Sequence, residues 1–179
     1  MIYANLGIPD RTLGGLEKSE GSDPADWCPR GYAIVNVDAR GIGDSEGIMP
    51  VLGSQEGEDG YDTIEFFSNQ PWCNGKIRLA GNSHPATAQW IIASQRPPSL
   101  TAIAPWEGCG SIYREQFARS GIWAGDMYEN ITKKCMLKGY HGVEDMKAMF
   151  DEHPLANDWS NDKRPDTTKI NIPSYITGT

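Results

Sequence analysis

Positive charge is scarce in this sequence. Its 179 residues include 16 lysines and arginines against 24 aspartates and glutamates, which gives a formal net charge of −8. No cluster of basic residues offsets that balance locally. An acidic surface repels phosphate backbones, so the composition argues against nucleic-acid binding, and we expect no nucleic-acid partner.

Long apolar runs and targeting signals are missing as well. No uninterrupted apolar stretch approaches the ~20 residues that a membrane span requires. The N-terminus, MIYANLGIPDR, lacks the basic-then-apolar pattern of a secretory signal. These two absences predict a protein with no membrane partner and a cytoplasmic location.

Metal-binding motifs are absent too. The four cysteines, at positions 28, 73, 109 and 135, form no C-x-x-C pair, and the three histidines fit no H-E-x-x-H motif. Zinc sites usually show such short ligand spacings. We therefore expect reduced, mostly buried thiols, no metal and no other cofactor.

What the sequence does contain is enough apolar material for one domain with a core: 39% of the residues are hydrophobic and 22% are charged. Near the start, Asp23 is positioned to cap a short helix whose first residue is Pro24. The β-branched run Tyr32–Val37 predicts a strand. Residues 56–69 predict a helix, with acidic residues in its first turns and Tyr61, Ile64, Phe67 and, at the flank, Phe66 on one side.

The middle of the chain alternates between strand and helix. Ile77–Ala80 predicts a strand, an apolar helix follows Ser83 and stops before Arg96-Pro97-Pro98, and Leu100–Ala104 predicts another strand. This order predicts an α/β fold, a parallel sheet with flanking helices. Residues 106–168 mix aromatic, glycine and charged residues and predict a mainly helical cap insertion, after which 169–179 return to strand character. The expected division is therefore 1–105, 106–168 and 169–179.

A glycine-rich loop follows the first predicted strand. Gly41-x-Gly43 resembles the start of a dinucleotide fingerprint, but the next glycine is one residue late and no helix begins there. Acidic residues also crowd the position that a phosphate would take. In this loop, Asp38 and Arg40 are expected to hold the backbone by hydrogen bonds or an ion pair.

The stretch from Lys76 to Trp90, KIRLAGNSHPATAQW, contains the most informative pattern. A strand, a turn containing Gly81 and Ser83, and a helix in succession are typical of a nucleophile elbow, which lifts a serine hydroxyl clear of the sheet. Gly81 suits a turn that leaves no room for a side chain. The alternative is that Ser83 only caps the helix.

Four strings in order connect this pattern to a known family: RGYAIVNVDARGIGDSEG, QEGEDGYDTIEFFSNQPWCNGKI, GNSHPA and LTAIAPWEG. Together they resemble the CocE/NonD hydrolases, the cocaine-esterase and X-Pro dipeptidyl-peptidase group of α/β-hydrolases, most strongly over residues 30–120. The resemblance implies hydrolysis of an ester or amide through an acyl-enzyme on Ser83. It also implies that the backbone N–H of His84 donates to the oxyanion.

The sequence departs from the family pattern in two respects. Position 84 is His where an aromatic residue is usual, and Pro85 biases His84 away from helical conformation. The resemblance places the triad acid just after a strand at Ser174–Thr177 and the histidine further along. It also places a central strand and a second oxyanion donor, a tyrosine, before residue 1. We therefore expect an incomplete α/β-hydrolase fold, a truncated member whose activity is impaired.

Other residues leave alternatives open. Trp106 and Tyr113 follow the strand after the elbow, where pockets form in open α/β sheets, but core packing would explain them equally well. Substitute triad members would have to come from the polar residues of the cap, for which solvent-exposed surface positions are the simpler interpretation: His141, His153, Asp126, Asp145, Asp151 and Asp158. A non-catalytic hydrolase fragment or a binding module is the alternative function, and exposed sheet edges predict self-association.

Overall fold

The computed structural model describes residues 20–126 and 142–178. Its centre is a pair of parallel strands, β1 (Ile77–Asn82) and β2 (Leu100–Trp106). Both strands were predicted, and each continues two residues beyond its predicted end. Leu79 pairs with Ile103, and Asn82 pairs with Trp106 at the carboxyl ends. Ligand sites of parallel sheets lie at this edge, so the register identifies where to search for a site.

A third segment lies along the other side of β2. The Tyr175 N–H donates to the Ile103 carbonyl over 2.9 Å, and the Ile103 N–H donates to the Pro173 carbonyl over 3.0 Å. Further along, Thr177 forms an isolated parallel bridge with Trp106. The predicted return to strand character near the end of the sequence therefore appears as bridge contacts that widen the sheet.

Helices flank this sheet, as the alternation predicts. Helix α1 (Pro24–Trp27) begins as expected, with the Asp23 carboxylate accepting a hydrogen bond of 2.8 Å from the Ala25 N–H. Helix α2 (Ser54–Ser68) and helix α3 (His84–Ser94) pack against each other. Ile64 of α2 is buried, and Ala93, Leu100 and Ile103 belong to the same apolar cluster.

Two glycines of α2 permit a close approach to α3. A Cβ atom at Gly60 would lie 2.4 Å from Cγ1 of Ile92, and one at Gly57 would lie 3.1 Å from Cγ2 of Ile91. The distance at Gly60 is too short for a Cβ atom unless Ile92 moves, and the distance at Gly57 is tighter than most Cβ contacts. The glycines therefore fix the spacing between the two helices, although glycine is a poor helix former.

The strand predicted at Tyr32–Val37 is wrong. Residues 32–39 have no regular secondary structure, and Val37 is 55% exposed. Strand propensity favours an extended backbone, but a strand also needs a partner to accept its hydrogen bonds. Among residues 20–126 and 142–178, β1 pairs with β2 and with no strand in this segment. Tyr32 nevertheless stays near β1, since the Arg78 guanidinium lies 5.5 Å from the centre of its ring.

The region after β2 contains short elements: a π-helix (Tyr113–Phe117), a hairpin of β3 (Ala118–Arg119) and β4 (Ile122–Trp123), and the helices α4 (Met146–Glu152) and α5 (Asp158–Asp162). Phe117 and Met146 are fully buried and join Leu52 and Ile91 in one apolar cluster. The described part of this region thus packs on α3 and on the loop that precedes α2. The proposed division into three segments stays a prediction.

No helix within the described ranges is both long and apolar enough to cross a bilayer.

Candidate active site

Ser83 occupies the bend between β1 and α3. Its backbone dihedral angles are φ 60° and ψ −117°, a combination that side-chain-bearing residues rarely adopt. The Ser83 N–H donates to the Trp106 carbonyl over 3.0 Å, which ties the bend to the end of β2. The residue is exposed. The strand, sharp turn and helix predicted from the sequence are therefore present, with Ser83 at the carboxyl edge of the sheet.

The start of α3 differs from expectation. Pro85 was predicted to bias His84 away from helical conformation, yet α3 begins at His84 with Pro85 in its first turn. Proline is tolerated there because an N–H in the first turn has no intrahelical acceptor. The Ala86 and Thr87 N–H groups both donate to the Ser83 carbonyl, over 3.1 and 3.0 Å. Pro85 has no N–H to donate. The His84 amide is therefore the N–H group in this turn that can bind an acceptor outside the helix.

Gly81 is required by close packing. A Cβ atom at this position would lie 2.6 Å from the Pro85 Cβ and 3.2 Å from the Glu20 carbonyl oxygen. The prediction that this turn leaves no room for a side chain is confirmed. The contact also brings residue 20 beside the bend, where its carbonyl accepts a 2.9 Å hydrogen bond from the Asn82 N–H.

Three ionisable side chains surround the bend. The Glu20 carboxylate is near enough to the Ser83 side chain and the His84 ring for both to favour its charged form. On the other side, Nε2 of His84 lies 3.5 Å from Oε1 of Glu56, at the start of α2. That separation is longer than an ordinary hydrogen bond, so the attraction is mainly between charges.

These neighbours shift two pKa values. Burial alone would lower the pKa of the His84 imidazole, but the Glu56 and Glu20 carboxylates outweigh burial and raise the pKa above its usual value. Burial raises the pKa of the Glu20 carboxyl, while the His84 charge and the Ser83 hydrogen bond oppose that rise. The bend therefore combines a carboxyl group and an imidazole, both with raised pKa values, with a serine hydroxyl.

Sequence reasoning missed Glu20 and Glu56 as neighbours of Ser83. Glu56 was noted only among the acidic residues that favour the dipole of α2. Glu20 lies in a polar stretch without any motif, 63 positions before Ser83. No local pattern signals such a contact, since it depends on the packing of separate segments.

Trp106 and Tyr113 differ in their surroundings. Trp106 ends β2, pairs with Asn82 and accepts the Ser83 N–H, so it is adjacent to the bend. Tyr113 is 5% exposed and packs edge-to-face on Trp159, with ring centres 5.4 Å apart. Burial raises the pKa of its hydroxyl. The packing alternative suits Tyr113, while a pocket role for Trp106 stays a prediction.

The described polar residues of the later region have other partners or are exposed to solvent. Asp145 caps α4 by accepting a 2.9 Å hydrogen bond from the Ala148 N–H, and Asp151 pairs with Lys147. His153 has a half-exposed side chain, 3.6 Å from Glu152, and Asp126 and Asp158 are exposed. These positions match the surface interpretation; His141 lies outside the described residues. No group of three or more potential metal ligands occurs in the portion that the structure describes.

The glycine-rich loop is held as predicted. Nε of Arg40 donates a 2.7 Å hydrogen bond to Oδ2 of Asp59 in α2, and the Ser45 hydroxyl donates to the Asp38 carbonyl over 2.8 Å. Arg40 thus ties the loop to α2 through its side chain, and Asp38 holds the loop through its backbone carbonyl.

Comparison with known proteins identifies relatives of this arrangement. The family model described as X-Pro dipeptidyl-peptidase (S15 family) matches residues 9–174. The cocaine esterase of a Rhodococcus species is 35% identical over 85 residues, which make up 47% of this chain and 14% of that enzyme. A curated relative from Mycobacterium bovis is 35% identical over 117 residues, 63% of this chain and 19% of the relative. The chain therefore matches less than a fifth of the length of these two relatives.

Solved structures agree with the fold. A CocE/NonD family hydrolase from Staphylococcus aureus superposes with a TM-score of 0.83 at 34% identity, covering 94% of this chain and 32% of that one. An aminopeptidase from a marine sediment archaeon superposes with a TM-score of 0.57 at 17% identity, covering 76% of this chain and 30% of that one, and shows the fold alone. The expected partial α/β-hydrolase fold and the resemblance to the CocE/NonD group are both confirmed.

Proposed function

This chain belongs to the X-Pro dipeptidyl-peptidase (S15) family, whose chemistry is hydrolysis, and we propose that Ser83 is its nucleophile. In this proposal, Oγ of Ser83 attacks an ester or amide carbonyl and forms an acyl-enzyme, which water then hydrolyses. The observation that carries the proposal is the backbone of Ser83, with φ 60° and ψ −117° between β1 and α3. A serine that only caps a helix has an ordinary extended conformation and needs no such strain.

The His84 amide is proposed as an oxyanion donor. It belongs to the first residue of α3, where the dipole of the helix favours negative charge. A developing oxyanion beside Ser83 would accept this N–H, and a single donor of this kind contributes ~10²–10³ in rate in a well-studied hydrolase. The resemblance implies that the remaining donor and the triad acid and histidine belong to other parts of the whole protein. Hydrolysis by the whole protein is therefore proposed together with the role of Ser83.

Substrate class is proposed from two considerations. One relative is a cocaine esterase, and the matching family is described as X-Pro dipeptidyl-peptidase. A small ester or a peptide is therefore the expected substrate. Ester substrates are the first to test, because an alkoxide leaves an acyl carbon more readily than an amine does. Trp106, at the carboxyl end of β2, is the proposed side-chain neighbour of the acyl group.

Labelling by a fluorophosphonate, which phosphonylates activated serines, tests the assignment of the nucleophile. The chain is incubated with the probe from pH 7 to pH 10, and peptide mapping locates the adduct. We expect the adduct on Ser83, loss of labelling in Ser83→Ala, and unchanged labelling in the control Ser45→Ala, whose hydroxyl bonds the Asp38 carbonyl. Equal labelling of Ser83→Ala and the parent chain would refute the proposal.

A further inference from the structure

Thr87, at the end of the first turn of α3, is a buried polar residue with several polar contacts. It is 3% exposed. Its hydroxyl donates to the Ser83 carbonyl over 3.3 Å, accepts a 3.1 Å hydrogen bond from the Cys109 N–H, and lies 3.5 Å from Sγ of Cys109. A hydroxyl has one proton to donate and two lone pairs that accept, so these contacts use its full capacity.

The bond from Cys109 distinguishes Thr87 from an ordinary helical threonine. Threonines in helices often donate to the carbonyl four residues earlier, and the bond to Ser83 alone would be an example. The Cys109 N–H comes from outside the helix, in the loop 107–109 that follows β2. Gly108 lets this loop approach, because a Cβ atom there would lie 3.1 Å from the Thr87 nitrogen. The hydroxyl therefore joins the loop after β2 to the Ser83 carbonyl.

The Ser83 carbonyl and the His84 N–H belong to one planar peptide group. The C=O and N–H of such a group point in opposite directions, so fixing the carbonyl also aims the N–H. The Ala86 and Thr87 N–H groups hold the carbonyl over 3.1 and 3.0 Å, and the Thr87 hydroxyl adds a bond from a side chain. The direction of the His84 N–H therefore depends in part on Thr87.

We propose that Thr87 is a positioning residue, which aims the His84 N–H at the developing oxyanion by holding the Ser83 carbonyl. The inference rests on the proposed function, since it concerns the oxyanion donor beside the same nucleophile. The preceding peptide is tied to the same part of the chain, because the Ser83 N–H donates to the Trp106 carbonyl over 3.0 Å. The end of β2 and the loop after it thus hold both peptide groups that flank Ser83.

This restraint matters because the Ser83 backbone is strained. Its ψ of −117° sets the plane of the Ser83–His84 peptide, and relaxation toward a commoner conformation would rotate that plane. An oxyanion donor stabilises the transition state only when it points at the place that the oxyanion will occupy. Loss of the Thr87 hydroxyl should therefore turn the His84 N–H away from that place.

The first test measures the direction of the His84 N–H through its residual dipolar coupling in the amide NMR spectrum. Thr87→Val removes the hydroxyl and keeps the β-branched shape, and Thr87→Ala removes it with less crowding. We expect the His84 coupling to change in both variants and to return toward the parent value in Thr87→Ser, which keeps a hydroxyl. The couplings of the other amides establish that each variant is folded.

A matched control removes a hydroxyl of the same kind elsewhere. The Thr101 hydroxyl of β2 donates to the Ile77 carbonyl over 2.9 Å. Thr101→Val should therefore leave the His84 coupling unchanged. A coupling that also stays unchanged in Thr87→Val and Thr87→Ala overturns the proposal.

The second test measures the rate of fluorophosphonate labelling at Ser83, because the phosphoryl oxygen of the probe takes the place of the oxyanion. A donor of this kind contributes ~10²–10³ in rate, and we expect its misalignment in Thr87→Val to cost about tenfold. The loss should be smaller with the corresponding thiophosphonyl probe, whose sulfur is a weaker hydrogen-bond acceptor. General loosening of the fold would slow both probes equally. Thr87→Ser should recover part of the rate, and Thr101→Val should label at the parent rate.

The outcomes separate the two proposals. If the coupling changes but Thr87→Val is still labelled on Ser83 at the parent rate, the hydroxyl does not serve the reaction; the inference is overturned and the nucleophile stands. Equal slowing of both probes overturns the inference as well. If the parent carries no adduct on Ser83, or Ser83→Ala is labelled like the parent, the nucleophile is overturned. The dipolar couplings then still decide whether Thr87 aims the His84 N–H.

Discussion

Ser83 holds a backbone conformation that favours glycine. Its φ of 60° with ψ of −117° places Cβ close to the backbone, and such residues cost ~1–3 kcal/mol unless the surroundings enforce them. Here the Trp106 carbonyl holds the Ser83 N–H, and the Ser83 carbonyl accepts two N–H groups of α3. The residue thus retains its strain through bonds on both sides.

A pair of substitutions measures that strain. We expect Ser83→Gly to have a free energy of unfolding ~1–3 kcal/mol greater than Ser83→Ala, because both lose the hydroxyl and only alanine keeps the Cβ. Urea denaturation of the two variants provides the comparison. Equal stabilities would mean that the backbone at position 83 is not strained.

His84 predicts a pH effect on stability. Its folded-state pKa is raised, so the stabilisation it provides is complete below the unfolded value of ~6.5 and is lost as the pH rises through the folded value. We expect the melting temperature of the parent to exceed that of His84→Gln most at pH 6, and the difference to shrink by pH 9. His153→Gln, which alters a half-exposed histidine, serves as control. A difference that grows with pH would contradict the assigned direction.

At the scale of elements, α2 and α3 depend on glycine for their separation. Ile92 is β-branched and therefore stiff in a helix, so it cannot easily move from a Cβ at Gly60, 2.4 Å from its Cγ1. Alanine is the better helix former by ~1 kcal/mol, which opposes the packing cost without cancelling it.

We predict that Gly60→Ala lowers the free energy of unfolding by ~1–3 kcal/mol, the usual cost of overpacking a core. In an Ile92→Ala background the same change should be neutral or stabilising, since the obstructing atoms are gone and the helix propensity of alanine remains. Chemical denaturation of the four proteins in this double-mutant cycle gives the coupling energy. Additive effects would show that the two side chains do not compete for space.

Local sequence signals anticipated some elements better than others. Asp23-Pro24 predicted α1 because a cap and its helix lie within a few residues, and Gly81-x-Ser83 predicted the bend for the same reason. Tyr32–Val37 failed because propensity alone cannot supply a strand partner. The sequence did not indicate that Glu20 lies near Ser83. The two residues belong to segments that are distant in the chain, and no spacing rule predicts such a contact.

At the scale of the whole molecule, Glu144 joins the later region to the loop before α2 and also forms an ion pair with Lys163. Nζ of Lys163 lies 2.5 Å from Oε2 of Glu144, and Lys163 is 3% exposed. Glu144 also accepts hydrogen bonds from the Val51 N–H over 2.9 Å and from Nε1 of Trp159 over 2.6 Å. The pair lines a cavity of about 290 Å³ with Met49, Leu52 and Asp162 among its neighbours.

The two partners should differ in their importance. We expect Glu144→Gln to lower the free energy of unfolding by ~1.5–3 kcal/mol, because a neutral amide replaces the carboxylate that accepts from the buried Lys163 ammonium. Lys163→Met should cost less, since Glu144 keeps two donors and the methionine fills the apolar path of the lysine. Thermal and urea denaturation of both variants tests the order. A larger loss for Lys163→Met would mean that the lysine, not the carboxylate, organises this junction.

The contact between Gly81 and Pro85 has a consequence for reaction kinetics. The Pro85 ring fixes its own φ angle and packs against Gly81, which has no side chain. The bend therefore has little conformational entropy to lose when a substrate reacts. Ordering that was completed during folding need not be repeated at each turnover. For acylation at the proposed nucleophile, we therefore expect an Eyring plot with a small activation entropy and a barrier that is mainly enthalpic.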